Sequence, residues 1–188
     1  TQVWKGAPSA SLLSIAQTKL MTEVILDNNM DSRIATLCQG GTSVGKAMVA
    51  DCRLPLISFT GSTQVGREVA GTVASRFGKS ILELGGNNAV IVMDDADIKS
   101  ALPAVCFAAA GTAGQRCTTL RRLLVHEKIY EKFVASLIVA YKQLRPGNPL
   151  EPDVLLGPLH SVAGISLFEK GVEDIKAQGG QILVGGSR

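Results

Sequence analysis

Leu82-Glu83-Leu84-Gly85-Gly86-Asn87-Asn88 and Gly114-Gln115-Arg116-Cys117-Thr118-Thr119 bracket the stretch around which this chain is organised. A carboxylate and a thiol, each set among small residues, make a base and nucleophile pair. Glycine next to a reactive side chain lets a substrate or cofactor approach the backbone closely. The thiolate is the reacting form of cysteine, and the cation of Arg116 beside Cys117 favours it. Taken singly, a cysteine after a helix is ordinarily an inert buried residue, and a Gly-Gly after a strand is ordinarily a turn. Their occurrence together favours the catalytic reading.

Both flanks resemble signatures of the NAD(P)-dependent aldehyde dehydrogenase superfamily. Leu82-Glu83-Leu84-Gly85-Gly86-Asn87 is similar to the general-base motif of that family, and Gly114-Gln115-Arg116-Cys117-Thr118 to its nucleophile motif. The separation of 34 residues between Glu83 and Cys117 also fits. The resemblance implies an α/β fold in which a parallel Rossmann-type sheet is followed by the start of a second α/β catalytic domain. The boundary falls at Gly85-Gly86, giving residues 1–85 as part of an NAD-binding domain and 86–188 as part of a catalytic domain.

Composition agrees with a folded α/β protein: 46% hydrophobic and 19% charged residues in 188. A net charge of +3 with 4% aromatics, and no basic tract interleaved with aromatics, excludes nucleic acid as the expected partner. No run reaches roughly 18 apolar residues, so no spanning helix is expected. Four cysteines at 38, 52, 106 and 117 show no Cys-x-x-Cys pair, and the histidines are His126 and His160. No metal site is therefore expected. Unpaired cysteines suit a reducing, intracellular compartment, cytoplasmic or mitochondrial. The chain starts at Thr1 without leader character and stops after an apparent strand, and it reads as an internal part of a longer protein.

Apolar spacing predicts a helix over residues 9–29, with Leu12, Leu13, Ile15, Ala16, Leu20 and Val24 at helical repeat and Ser9 or Ser11 as N-cap. A strand over 33–38, a glycine-rich turn and a helix to Asp51 follow. Then come a strand over 54–60, a helix to Phe77 stopped by Gly78, and a strand over 80–84. This alternation predicts a parallel sheet with right-handed crossovers. Further on, a strand over 88–93 leads to an acidic helix start at Asp94-Asp95-Ala96-Asp97. Pro103 predicts a kink or two segments there. A strand over 120–125, an amphipathic helix over 128–144, a proline-rich loop over 145–158, a helix over 162–178 and a strand over 181–184 complete the pattern.

Thr60-Gly61-Ser62, with Gly66 beyond, lies between a strand and a helix, where backbone amides and the helix dipole receive phosphate. Bare spacing does not make this the Gly-x-Gly-x-x-Gly fingerprint, and an ordinary turn reads equally well. The resemblance implies more. Phe59-Thr60-Gly61-Ser62-Thr63 is similar to the pyrophosphate turn of the family, Lys5 to its ribose-contacting lysine, and Gly45 to the glycine at the start of the helix bordering the adenine. Leu84 and Gly85 match positions beside the nicotinamide. NAD is the implied cofactor, by analogy rather than from the residues.

The same resemblance implies the chemistry: Cys117 attacks an aldehyde to form a thiohemiacetal, loss of hydride leaves a thioester, and Glu83 activates the hydrolytic water. The likeness extends to the antiquitin branch, which oxidises α-aminoadipic semialdehyde. It runs through Gly111-Thr112-Ala113-Gly114, Arg121-Arg122, Gly147-Asn148-Pro149 and Gly157-Pro158-Leu159-His160. By that likeness Arg116 holds a substrate carboxylate and Thr118 lines the pocket; alternatively Arg116 only tunes Cys117. The substrate is thus a small-molecule aldehyde and the parent assembly a homotetramer. A thiol hydrolase pairing Cys117 with His126 or His160 is disfavoured, since no hydrolase signature surrounds Cys117. The family's upstream Pro-Trp-Asn-like motif, which carries a second oxyanion donor, is not in the sequence. The competing readings are a non-catalytic piece that binds NAD at most weakly and a dehydrogenase for another semialdehyde.

Overall fold

The computed structural model describes residues Thr1–Ser187 and divides the chain into two compact units, Thr1–Leu84 and Gly85–Arg188. In the first unit, β1 (Gln2–Trp4) pairs in parallel with β2 (Ala35–Leu37), and β3 (Leu56–Thr60) with β4 (Lys79–Glu83). A parallel pair needs a long crossover. Helix α1 (Ser11–Asp27) supplies one and α3 (Thr63–Ser75) the other, with α2 (Thr42–Ala50) between the pairs. The single sheet expected from the alternation is not formed among the described residues, where the pairs are separate two-stranded sheets. Alternation predicts crossovers but not which strands become neighbours.

Three local expectations are corrected in this unit. A short 3-10 turn, Pro8–Ala10, precedes α1, and Ala10 rather than Ser9 or Ser11 is its N-cap, with no side-chain cap. The apolar repeat in α1 does not face inward: Leu12 is 81% and Leu20 63% exposed, while Ser14 and Ile25 are buried. Apolar residues fall around most of this helix, so periodicity alone does not select a face. At the end of α3 it is Phe77, not glycine, that adopts the left-handed conformation, with φ 57°. The Phe77 N–H donates to Ala74 O and the Gly78 N–H to Val73 O, closing the helix as a Schellman motif. Gly78 is needed for space, because a Cβ there would lie 2.9 Å from Val73 Cγ1. Arg76 ties this end down by donating from Nε to Val49 O and from Nη2 to Leu54 O.

In the second unit, β5 (Asn88–Val92) pairs in parallel with β6 (Leu120–Val125). The crossover contains α4 (Ile98–Ala110) and a 3-10 turn, Gly111–Gly114. Helix α4 is one helix despite Pro103, not two segments. Lys99 and Pro103 are both exposed, so the carbonyl that loses its in-helix donor is reachable by water. Asp97 caps α4, accepting from the Lys99 N–H and from the Ser100 hydroxyl. Helix α5 (Tyr130–Tyr141) packs on α4, and Phe133, with no exposed surface, sits with Val92, Val105 and Leu120 in the core. A proline-rich loop with one parallel bridge, Pro146 to Leu156, leads to α6 (Val162–Ala177). The strand expected over 181–184 is absent. Ile182 and Val184 are half-buried and Gln181 and Leu183 exposed, so the period of two persists in a segment without a strand partner.

Two measurements follow from this packing. Phe133→Ala should destabilise the second unit by about 3–5 kcal/mol, whereas Val139→Ala, at a site 60% exposed on the same helix, should stay within about 0.5 kcal/mol in denaturant titrations. The Asp97 carboxyl is held below the usual carboxylate range, first by the Ser100 hydroxyl and then by the Lys99 N–H. A depressed folded pKa stabilises the native state above the ordinary carboxylate pKa, and the gain is lost as pH falls through the folded value. Amide exchange at Lys99 and Ser100, corrected for intrinsic rates, should therefore lose protection below about pH 4. Asp97→Asn should remove that pH dependence.

Candidate active site

The carboxyl ends of β3 and β4 gather most of the first unit's candidates. Thr60 is the register partner of Glu83, and the Gly61 N–H donates to Glu83 O at 3.1 Å. Ser62 is the N-cap of α3, its Oγ accepting from the Val65 N–H at 3.3 Å. That leaves the hydroxyl proton free to donate. A Cβ on Gly61 would lie 2.5 Å from Phe59 Cζ, so the turn tolerates no side chain without displacing the ring. Gly66 is buried, and its open face is filled by Leu84, whose Cδ2 would lie 2.5 Å from an added Cβ. The structure thus gives Gly66 and Leu84 a packing contact with each other. Lys5 and Gly45, forty positions apart in sequence, are also brought together: Lys5 Cε lies 3.6 Å from where a Gly45 Cβ would be. Lys5 Nζ donates to Gly6 O at 3.1 Å. Gly45 stands inside α2 rather than at its first residue.

Cys117 belongs to the second unit and is exposed, as is Thr118. It occupies a turn from Arg116 to Thr119 in which the Thr119 N–H donates to Arg116 O, and Thr119 Oγ1 accepts from the Arg116 N–H. Thr119 is buried at 2% exposure, so this turn is anchored from beneath. The Asn88 amide donates to Cys117 O at 2.7 Å and to Thr119 O at 3.0 Å. The approach to Cys117 is less relaxed. Thr112 and Ala113 have φ of 56° and 53°, left-handed values unusual for residues with a Cβ and more so for a β-branched one. Gly114, with φ 70°, is the one member of that run suited to it.

Arg116 is half-buried and turned back on α4. Its guanidinium stands 5.1 Å from the Phe107 ring centroid and donates to Phe107 O at 3.4 Å, while Nε is buried without a partner. Gln115 spans two segments: its Nε2 donates to Thr112 O and Pro158 O, and its Oε1 accepts from the His160 N–H at 2.8 Å. His160 thus reaches the Cys117 loop through its backbone, while His126 caps the turn before α5 by accepting from the Lys128 N–H. Neither imidazole hydrogen-bonds to Cys117 among the described residues. Gly85 is exposed and has open space where a Cβ would stand. Among the described residues no group of three or more His, Cys, Asp or Glu side chains could hold a metal ion, and no helix is long and apolar enough to cross a membrane. Asn88, Gln115, Thr119, Arg121 and Arg122 were not marked by sequence reasoning as site residues. Asn88 and Gln115 lie inside the two quoted motifs, but their long-range partners are 29 to 45 positions away.

Both motifs and the parallel α/β frame belong to one pattern, and the family model for the aldehyde dehydrogenase family matches residues 1–188. The chain belongs to the aldehyde dehydrogenase family. It is 57% identical over 184 residues to aldehyde dehydrogenase family 7 member B4 of Arabidopsis thaliana, covering 98% of this chain and 36% of that protein. It is 53% identical to α-aminoadipic semialdehyde dehydrogenase of Mus musculus, covering 98% of this chain and 34% of that one. The chain therefore spans about a third of the length of these relatives. Among solved structures, betaine aldehyde dehydrogenase of Staphylococcus aureus in complex with NAD+ superposes with a TM-score of 0.92 at 33% identity, over 99% of this chain and 36% of that one. Glyceraldehyde-3-phosphate dehydrogenase of Methanocaldococcus jannaschii complexed with NADP gives 0.93 at 35% identity, over 99% and 41%.

Gly86 provides a direct check on the turn. A Cβ there would lie 2.8 Å from the Cys117 carbonyl oxygen, a backbone atom that cannot swing aside. Gly86→Ala should cost about 1–3 kcal/mol in denaturant titrations, the range for overpacking. Gly85→Ala, with nothing within 4 Å of its Cβ, should be close to neutral.

Proposed function

We propose that the parent protein is an NAD-dependent aldehyde dehydrogenase that oxidises a carboxylate-bearing semialdehyde, α-aminoadipic semialdehyde by the relatives' chemistry, to the carboxylate. The reading rests above all on one observation: an exposed thiol, Cys117, on a turn held by side-chain hydrogen bonds, within a chain that matches the family from end to end. Residues 1–85 form part of the NAD-binding domain and 86–188 part of the catalytic domain. The parent assembly is a homotetramer; the exposed apolar side chains of α1 support further burial against other protein.

The residues fit a dinucleotide. The first-turn amides of α3, the Ser62 hydroxyl proton and the close approach at Gly61 suit a pyrophosphate, with Thr60 and Gly66 framing the turn. Lys5 and Gly45 would hold the adenosine end, and Leu84 and Gly85 would border the nicotinamide. NAD, when bound, supplies the hydride acceptor. The Cys117 thiolate adds to the aldehyde carbon, forming a C–S bond and an alkoxide that the Cys117 N–H stabilises. Departure of hydride from that carbon leaves a thioester. Glu83 takes a proton from water, the water oxygen adds to the thioester carbonyl, and C–S cleavage releases the acid and the thiolate. Arg116 receives the distal carboxylate, the acceptor best matched to a guanidinium, and Thr118 lines the pocket.

A second reading applies to the 188 residues by themselves. They cover 34% to 37% of the relatives' lengths, which favours weak nucleotide binding without turnover for this stretch in isolation. NADH absorbance with NAD and α-aminoadipic semialdehyde tests both readings, with Cys117→Ala as control. A signal that disappears in the variant supports the dehydrogenase. Silence from a folded sample that still binds NAD supports the second reading. In an active protein, Arg116→Ala should raise KM for the carboxylate-bearing aldehyde by about 10- to 100-fold, the equivalent of roughly 1.5–3 kcal/mol for a hydrogen bond to a charged group. A neutral aldehyde should change little, and equal effects on both would remove Arg116 from the substrate site.

A further inference from the structure

We propose that Asn88 is a positioning residue for the nucleophile: its amide holds the backbone of the Cys117 turn from the start of β5. This rests on the reading of Cys117 as the attacking thiolate. An amide nitrogen has two protons, and Asn88 uses both within one turn, donating to Cys117 O at 2.7 Å and to Thr119 O at 3.0 Å. With two carbonyls on one side, the nitrogen rather than the oxygen of this amide must face them. The Cys117 carbonyl is bonded to the Cys117 Cα through a single torsion. Fixing that carbonyl therefore fixes the plane that follows the thiol and limits where Sγ and the Cys117 N–H can point.

Two further features of the same corner fit this role. The β5–β6 ladder changes register between Asn88, opposite Leu120, and Ala89, opposite Arg122, so that Arg121 is the extra residue of a bulge. Bulges re-aim side chains and are frequent beside active sites. Here Arg121 donates to Gly114 O, and Arg122 donates through Nε and Nη2 to Asn87 O, at 3.1 and 2.8 Å, holding the residue before Asn88. Gly86 leaves the Cys117 carbonyl unobstructed, since any Cβ there would stand 2.8 Å from it. Aspartate could not replace Asn88, because an ionised carboxylate only accepts hydrogen bonds and would face two carbonyl oxygens.

The test uses the full chain with Asn88→Ala and the isosteric Asn88→Asp, read by amide exchange and by steady-state kinetics. The Thr119 N–H, bonded to Arg116 O, reports on the turn. The His126 N–H, bonded to Val92 O at the far end of the ladder, reports on the fold. In both variants Thr119 should exchange about tenfold faster or more with His126 unchanged. The kcat should fall about tenfold or more, further for Asn88→Asp, with KM within about threefold. Thr119 exchange within about twofold of the parent in the variant that keeps His126 protected would overturn the proposal. So would a preserved kcat alongside faster exchange, which would make Asn88 merely structural. If the unsubstituted chain oxidises no aldehyde, the second reading holds for this stretch by itself; if it oxidises one equally as Cys117→Ala, Cys117 is not the attacking thiolate. The exchange measurement then decides by itself whether Asn88 holds the turn.

Discussion

Parallel strand pairing is the constraint on which the rest of this structure depends. Two parallel neighbours cannot be joined by a tight turn, so each pair carries a long crossover. The chemistry-bearing residues collect where crossovers leave or rejoin strands. In the first unit this is the carboxyl end of the ladder, where β3 runs out at Thr60 and β4 at Glu83, and where Ser62 opens α3. In the second it is the amino end, where Asn88 starts β5 and the Cys117 turn leads into β6. Four residues, Leu84 to Asn87, connect one kind of end to the other, and two of them are glycines. Within that connection Gly86 stands where a Cβ would lie 2.8 Å from the Cys117 carbonyl oxygen, whereas Gly85 has open space.

The parts of the fold legible in the sequence were those governed by local periodicity. Strand β6 and helices α3 and α6 lie close to where the sequence puts them, and Ser62 and Ser161 cap the two helices. The less legible parts depended on partners. Nothing local in residues 181–184 tells a strand from an unpaired extended segment, because that difference lies in a neighbouring chain segment. Helix α1 was legible as a helix but not in its orientation, since Leu12, Leu13, Leu20 and Val24 spread around it while Ser14 and Ile25 face in. Phe77 is a different case. A left-handed aromatic is locally unfavourable, and it is tolerated because Gly78 and Arg76 complete hydrogen bonds that a glycine at position 77 would only have made easier.

The candidate site shows the same division. Cys117 and Glu83 stand out through their flanks, and Ser62 through its place between strand and helix. The long-range hydrogen bonds that hold the Cys117 turn do not stand out, because they join residues 29 to 45 positions apart, and the bulge beside it is announced by no pattern. Thr112 and Ala113 make the need for those bonds concrete. Left-handed backbone at residues with a Cβ costs of order 1–3 kcal/mol each and persists only where surroundings over-determine it. Here Gln115 holds Thr112 O through both its backbone and side-chain N–H groups, and Arg121 holds Gly114 O. The loop before the thiol is strained, and the loop around it is clamped.

Arg116 shows how such a site can be incomplete by itself and still stable. Its guanidinium is partly paid for by the Phe107 face and carbonyl, both near the carboxyl end of α4, where a cation also meets the favourable end of the helix dipole. The contact at 3.4 Å is long for a charge-assisted bond, and Nε has no acceptor. A buried unpaired donor on a charged group is costly, and that cost is recovered only if an acceptor arrives. A carboxylate is the acceptor best matched to a guanidinium, because it takes two parallel N–H bonds and neutralises the charge. On the proposed reading, a substrate carboxylate would complete the pairing of this guanidinium.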